Sequence, residues 1–215
     1  MVARLKPPVV RINGADTEWF EDDLVLLADL RPDVVILPKS SPEAVAALGP
    51  DGPPVIAIVE TAQGLRQAYE TASSPRVHAL VIGAVDLGAE LGLEPRGDGL
   101  EILYARSQVV VAAAAAGIRA PFDIVHLDVR DDNGLETECW FARSLGFRGK
   151  VCIHPRQVPI VNRAFAPSER EVAWAKRVVD EFEASGSGVL AVNGEMIDLP
   201  VVERARRILQ ERSER

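Results

Sequence analysis

Two carboxylates stand where the apolar pattern around them does not require a charge. Glu60 follows the run Val55–Val59, and Asp86 follows Ala79–Ile82 after a Gly-Ala-Val step. Both runs read as buried strands, and the stretch Ala62–Ala72 between them reads as a helix. Strand, helix and parallel strand make a right-handed crossover that brings both strand ends to the same edge. Two carboxylates converging there, with no Cys or His beside them, suit a hard divalent cation such as Mg²⁺. Taken alone, each carboxylate reads first as a cap for the helix that follows it. The pair on neighbouring strands gives the two readings equal standing.

The rest of the chain repeats the placement. Val9–Asn13 and Val34–Leu37 are further short strands, the first carrying Arg11 and Asn13 at its C-terminal end and the second followed by Lys39. Asp123 lies near the end of an expected fifth strand, Ile118–Val125, and His154 follows a sixth, Lys150–Ile153. Helices are expected between them. One is capped by Asp16 or Thr17 and runs to Leu30, with Trp19, Phe20, Leu24, Leu27 and Ala28 on one face. Another is capped by Ser41 with Pro42 at its first position. Two more cover Glu101–Ala116 and Gly134–Leu145, the second capped by Asp132 or Asn133. Gly88–Gly92, continuing to Gly99, reads as a glycine-rich loop able to fold over a ligand. Six strands, most followed by a helix, predict a parallel α/β fold, either doubly wound or a (β/α) barrel. No G-x-G-x-x-G follows the first strand, which counts against a nucleotide fold. On a barrel the polar residues at the strand ends would form one site at the C-terminal face.

After Pro155 the pattern changes. Ser168-Glu169-Arg170-Glu171 opens a long helix as a capping box, and Ser185–Gly188 reads as a hinge. Asn193-Gly194 is a hairpin turn between Val189–Val192 and Glu195–Ile197, and a last helix follows Pro200. The expected division is a catalytic domain over residues 1–161 and a lid or oligomerisation arm over 162–215.

Composition limits the function. A net charge of −8 over 215 residues argues against nucleic acid or an anionic membrane as partner. Cys139 and Cys152 have no metal spacing, and Cys152 in KVCIH reads as a buried, inert thiol. The MVARLKPPVV start has no apolar core of a signal peptide, and both features fit a reducing cytoplasm.

The stretches VVRIN, VVILPKS, VIAIVETAQG, ALVIGAVDLGAELG, LDVRDDNGLETECWFARSLGFRGKVCIHPRQV and GEMIDLP run in order through nearly the whole chain. Together they resemble the citrate lyase β-subunit-like branch of the HpcH/HpaI aldolase superfamily. The resemblance implies a TIM-type (β/α) barrel with a C-terminal helix-and-hairpin lid, acting as a homo-oligomer, a trimer by family habit. It implies an Mg²⁺-dependent carbon–carbon lyase acting on malyl-, citramalyl- or citryl-type thioesters of CoA or of an acyl carrier protein. Glu60 and Asp86 would be the metal ligands and would bind substrate through the metal. Arg11 would hold the substrate oxyanion, and Lys39 a carboxylate or phosphate. Asp198 in G-x-M-I-D would be the acid/base supplied to a neighbouring subunit. Each role has a plainer counterpart: an ion pair for Arg11, a helix cap for Asp198, a packing histidine for His154. Lys39 could instead be a Schiff-base lysine of a metal-free aldolase. Two departures stand out. The two strands that precede VVRIN in the family are not in this sequence, which leaves a non-catalytic CoA-binding remnant as the alternative. Val85 also stands where the family motif G-A-E-D-L has Glu.

Overall fold

The computed structural model describes residues 8–185, 190–192 and 195–213. The chain divides into two compact units, Met1–Val161 and Asn162–Arg215.

The first unit alternates strands and helices. In order these are β1 (Val9–Arg11), α1 (Phe20–Leu30), β2 (Val34–Leu37), α2 (Pro42–Ala47), β3 (Val55–Val59), α3 (Ala62–Arg66) and α4 (Ala68–Ala72). They continue as β4 (Val77–Ile82), α5 (Ala84–Leu91), α6 (Leu103–Ala115), β5 (Phe122–Asp123), α7 (Asp132–Leu145) and β6 (Gly149–Lys150), and α8 (Gln157–Phe165) runs across the boundary of the two units. All six strands pair in parallel, in the order β1-β2-β3-β4-β5-β6. A doubly wound sheet reverses its strand order at a switch point, and this one does not, so its order is that of a barrel wall. The sheet is a curled half-barrel, with β1 and β6 each paired on one side only.

Side chains alternate along the strands with period two. Val35, Leu37, Val55, Ala57 and Val59 are fully buried on the helix-covered face. Ile36, Ile56 and Ile58, partly exposed, line the concave face. The register sets Arg11 beside Ile36 and Ile36 beside Ile56, which places Arg11 on that concave face. Glu60 continues the phase of Ile56 and Ile58.

Several elements differ from the sequence expectation. α1 starts at Phe20, and residues 15–19 form turns, so neither Asp16 nor Thr17 caps it. Of its expected core face only Phe20 is buried, and Trp19 is 56% exposed. The expected helix 62–72 breaks at Gln67 into α3 and α4. β5 shrinks to Phe122–Asp123, because Pro121 has no N–H to give a ladder. β6 ends at Lys150 rather than Ile153. Gly88–Gly92 is not a loop: residues through Leu91 belong to α5, and Gly92 ends it in a left-handed conformation. The cap of α7 is Asp131, which accepts from Gly134 N–H at 2.8 Å.

The second unit contains α9 (Glu169–Ser185), β7 (Leu190–Val192), β8 (Glu195–Ile197) and α10 (Leu199–Ser213). The capping box forms reciprocally: Glu171 N–H donates to Ser168 Oγ at 3.2 Å, and Ser168 N–H donates to Glu171 Oε2 at 2.8 Å. Val172, Ala175 and Val178 of α9 pack with Ile197, Val202, Ala205 and Ile208 into a core belonging to this unit. β7 and β8 pair antiparallel, Leu190 opposite Ile197. The expected hinge beyond Ser185 and the Asn193-Gly194 turn lie outside the described residues. No helix among the described residues is long and apolar enough to cross a membrane.

Candidate active site

The C-terminal ends of β1 to β4 surround a cleft of about 540 Å³. Arg11, Lys39, Glu60 and Asp86 all line it, so the four residues singled out on separate strands do meet. Asn13, Asp16, Thr17 and Asp23 complete its β1 side.

Glu60 is 5% exposed at the base of this cleft. Its Oε1 accepts the backbone N–H of Lys39 at 2.8 Å. Burial pushes its carboxyl above the usual range; the Lys39 N–H opposes this and the charge of Asp86 adds to it. Glu60 does not cap the helix behind it: Thr61 does, its Oγ1 accepting Gly64 N–H at 2.9 Å. Asp86 sits in the first turn of α5, whose start has no side-chain cap, and its carboxylate is exposed at the cleft. The capping reading therefore fails for both residues, and two carboxylates remain facing a common space.

Gly83 explains why they come so close. Its N–H donates to Val59 O at 2.9 Å, which sets it beside Glu60 on the concave face. A Cβ at Gly83 would lie 2.4 Å from Glu60 Cβ and 2.7 Å from Glu60 Oε2. Its φ is −97°, so steric room and not a left-handed backbone requires glycine here.

Lys39 is different. It adopts a left-handed conformation, φ 45°, one of two non-glycine residues with positive φ among the described residues. The following residue pins the turn: Ser40 N–H donates to Ile58 O at 2.9 Å, and Ser40 Oγ donates to Leu37 O at 2.7 Å. The Lys39 ammonium reaches Asp16 Oδ2 at 3.1 Å, and that hydrogen bond and charge hold its pKa above the ordinary value. A lysine held protonated is a poor imine-forming nucleophile, which counts against a Schiff-base mechanism at this position. Asn13 ties β1 to α1, its backbone N–H and Nδ2 both donating to Asp23 Oδ2, at 2.7 and 2.8 Å.

The donor set suits a hard cation. Two carboxylates, one desolvated and neighboured by the other's charge, gain from a divalent ion, and Mg²⁺ commonly takes one or two carboxylates and fills its sphere with water and substrate oxygen. Among the described residues no group of three or more His, Cys, Asp or Glu is placed to hold a metal, so the remaining ligands would not come from such a cluster. Val85, adjoining Asp86, is 50% exposed and supplies no donor.

Asp123 and His154 do not line the cleft. Phe122 pairs with Val81 on the concave face, so Asp123 is one residue out of phase and turns to the helix layer. There it is fully buried, accepting from Arg106 Nε at 2.9 Å and from Lys150 Nζ at 2.9 Å. Lys150 also meets Glu138 Oε2 at 2.8 Å, and Glu138 Oε1 meets His126 Nδ1 at 2.9 Å. His154 is exposed, its Nδ1 accepting Arg156 N–H at 3.2 Å. Asp198 belongs to the second unit, where its Oδ1 accepts Val201 N–H at 3.3 Å as a cap of α10. Cys152 is partly exposed rather than buried, whereas Cys139 is fully buried.

Sequence reasoning missed Gly83 and gave Asp16 the wrong partner. The G-A-V-D-L spacing was the available signal for Gly83: a glycine one step beyond a buried strand, beside a carboxylate.

The chain as a whole is similar to known proteins. The profile of the HpcH/HpaI aldolase/citrate lyase family matches residues 50–155. The chain is 40% identical to a (3S)-malyl-CoA thioesterase of Cereibacter sphaeroides, over 94% of this chain and 72% of the relative. It is 36% identical to the citrate lyase subunit beta of Escherichia coli K12, with the same coverage. Among solved structures, the CitE protein of Mycobacterium tuberculosis in complex with magnesium, acetoacetate and coenzyme A superposes with a TM-score of 0.84 at 40% identity, covering 95% of this chain and 78% of that one.

Proposed function

The chain belongs to the HpcH/HpaI aldolase/citrate lyase family, and from that premise we propose that it is an Mg²⁺-dependent carbon–carbon lyase acting on short 3-hydroxyacyl thioesters of the malyl, citramalyl or citryl type. The observation that carries this reading is the convergence of Glu60, Asp86, Arg11 and Lys39 on one cleft. Glu60 and Asp86 hold the metal. When bound, Mg²⁺ supplies Lewis-acid polarisation of the oxygen that becomes the 2-oxo group. The substrate hydroxyl gives up its proton to a base, Arg11 stabilises the resulting negative charge on its oxygen, and as that oxygen becomes the carbonyl the electron pair of the breaking carbon–carbon bond passes to the thioester enolate. The Lys39 ammonium receives a carboxylate or phosphate of the substrate. A carboxylate, the partner subunit's Asp198, returns the proton to the thioester α-carbon. In this reading residues 1–161 are the catalytic domain, residues 162–215 are the lid or arm, and the protein works as a homo-oligomer.

The test is cleavage of malyl-CoA and citramalyl-CoA with Mg²⁺ and then with excess EDTA. Malyl-CoA should give acetyl-CoA and glyoxylate, citramalyl-CoA acetyl-CoA and pyruvate, and both reactions should stop with EDTA. No release from folded protein would favour a CoA-binding remnant, or a citrate lyase subunit whose thioester is carried by a protein.

The Cereibacter relative's name gives a second reading, hydrolysis of the thioester. The two separate by product. Hydrolysis adds water to malyl-CoA and yields malate with a free CoA thiol, whereas the lyase yields glyoxylate and leaves the thioester intact on the acetyl group.

A further inference from the structure

Glu90 makes a contact that neither carboxylate of the cleft explains. Its Oε2 accepts the backbone N–H of Ala62 at 3.0 Å. Ala62 is the second residue after Glu60 and opens α3. Glu90 is the fourth residue after Asp86 on α5, so the two share a helix face one turn apart. A single hydrogen bond thus joins the chain leaving Glu60 to the helix carrying Asp86. The start of α5 has no side-chain cap to fix it; its other anchors include the Gly83 N–H on Val59 O and the buried Ala84 and Leu87.

We infer that Glu90 is a positioning residue that sets the separation of Glu60 and Asp86 by tying α5 to the start of α3. The inference rests on the metal site proposed above. Glu60 is already fixed, by the Lys39 N–H and by the wall at Gly83, whereas exposed Asp86 moves with its helix. Losing the Glu90 contact frees α5 to shift about Leu87 and carries the Asp86 carboxylate away from Glu60. The second layer of a metal site commonly acts in this way, orienting ligands it does not replace.

The experiment is titration of the full chain with Mn²⁺, followed by electron paramagnetic resonance, for wild type, Glu90→Ala, Glu90→Gln and Asp86→Asn, with exchange of the Ala62 amide measured in parallel. Glu90→Ala removes the acceptor and should weaken Mn²⁺ binding by about tenfold, with faster exchange at Ala62. Glu90→Gln keeps an acceptor oxygen and should bind within about twofold of wild type. Wild-type affinity in Glu90→Ala overturns the inference and leaves the metal site standing. Equal weakening in both Glu90 variants also overturns it, since the charge of Glu90 and not its hydrogen bond would then matter. Wild type that binds no Mn²⁺, or binds it no better than Asp86→Asn, overturns the metal site itself and the inference with it.

Discussion

Lys39 donates its backbone N–H to Oε1 of Glu60 at 2.8 Å, and it does so from a left-handed backbone conformation. The buried carboxylate is thus aimed by a main-chain group 21 residues away in sequence, just past the end of the neighbouring strand β2, while its other oxygen faces the side of Gly83. In the proposed metal site this arrangement holds Glu60 ready for a cation. Glu60→Gln keeps an acceptor for the Lys39 N–H but removes the charge. Calorimetric titration of this variant, and of Asp86→Asn, should show Mg²⁺ or Mn²⁺ binding lost and thioester cleavage abolished. The melting temperature without metal should not fall, because a neutral amide at a buried position avoids the desolvation of a carboxylate. Either variant turning over at the wild-type rate would sink the ligand assignment.

Gly83→Ala tests the same geometry from the other side. The added methyl would lie 2.4 Å from Glu60 Cβ, so the strand end or the carboxylate must move. Overpacking of this kind costs about 1–3 kcal/mol, and denaturant unfolding should show it. Metal affinity should fall together with stability. A control at Gly88, where a Cβ meets nothing within 4 Å, should lose neither.

The ends of β2, β3 and β4, and the polar residues at the ends of β1 to β4, were legible in the sequence because these buried strands are short apolar runs with little ambiguity of phase. Arg11, Lys39, Glu60 and Asp86 followed from that. The alternation of elements alone did not separate a barrel from a doubly wound sheet, since both share it; the family resemblance implied the barrel, and the unbroken strand order agrees with it. Asp123 misled for a related reason. With Pro121 cutting β5 to two residues, the sequence held no phase to show that Asp123 faces the helices and Phe122 the concave side. Its partner Arg106 lies in an Ala- and Val-rich helix that gives no hint of a buried charge. Asp16 looked like a helix cap, and the turns at residues 15–19 gave it to Lys39 instead.

The buried ion cluster is a stability element with its own signature. Lys150 is fully buried between Asp123 and Glu138. Lys150→Met leaves Asp123 with Arg106 alone in a desolvated place, and breaking buried pairs of this kind costs about 3–5 kcal/mol. Burial alone would raise the Glu138 pKa, but the charge and hydrogen bond of Lys150, with His126, hold it below the ordinary value. A depressed folded-state carboxyl contributes stability that is fully present above the unfolded value of 4.5 and is lost as pH falls through the folded value. Lys150→Met removes that contribution of Glu138 and leaves a protein less stable at neutral pH, so acid unfolding followed by circular dichroism should start from this lower stability and begin at higher pH than in wild type, and an unchanged acid midpoint would count against the cluster.

The two thiols should separate in reactivity. Burial pushes the Cys139 thiol up to about 11, and its side chain has no exposed surface. Cys152 is raised by burial too but is partly exposed. Native protein treated with iodoacetamide at pH 8 should carry label at Cys152 first, and at Cys139 only after unfolding. Peptide mapping by mass spectrometry reads both sites, and rapid native labelling of Cys139 would contradict its placement.

Lys39 offers the sharpest separation of roles, because its main chain and its side chain serve different partners. Lys39→Ala and Lys39→Gly both keep the N–H that aims Glu60, so both should bind Mn²⁺ as wild type does. Both lose the ammonium, so KM for an anionic thioester should rise by about tenfold or more, the loss expected for one charge-assisted hydrogen bond. Stability then distinguishes them. At φ 45° a Cβ is strained and glycine is not, so the Gly variant should be more stable than the Ala variant by about 1 kcal/mol. Borohydride added during turnover should trap no adduct on wild type, since the ammonium stays protonated beside Asp16. Loss of Mn²⁺ binding in the Gly variant would show that the side chain, not the N–H, shapes the metal site, and a trapped imine at Lys39 would replace the metal mechanism with a Schiff base.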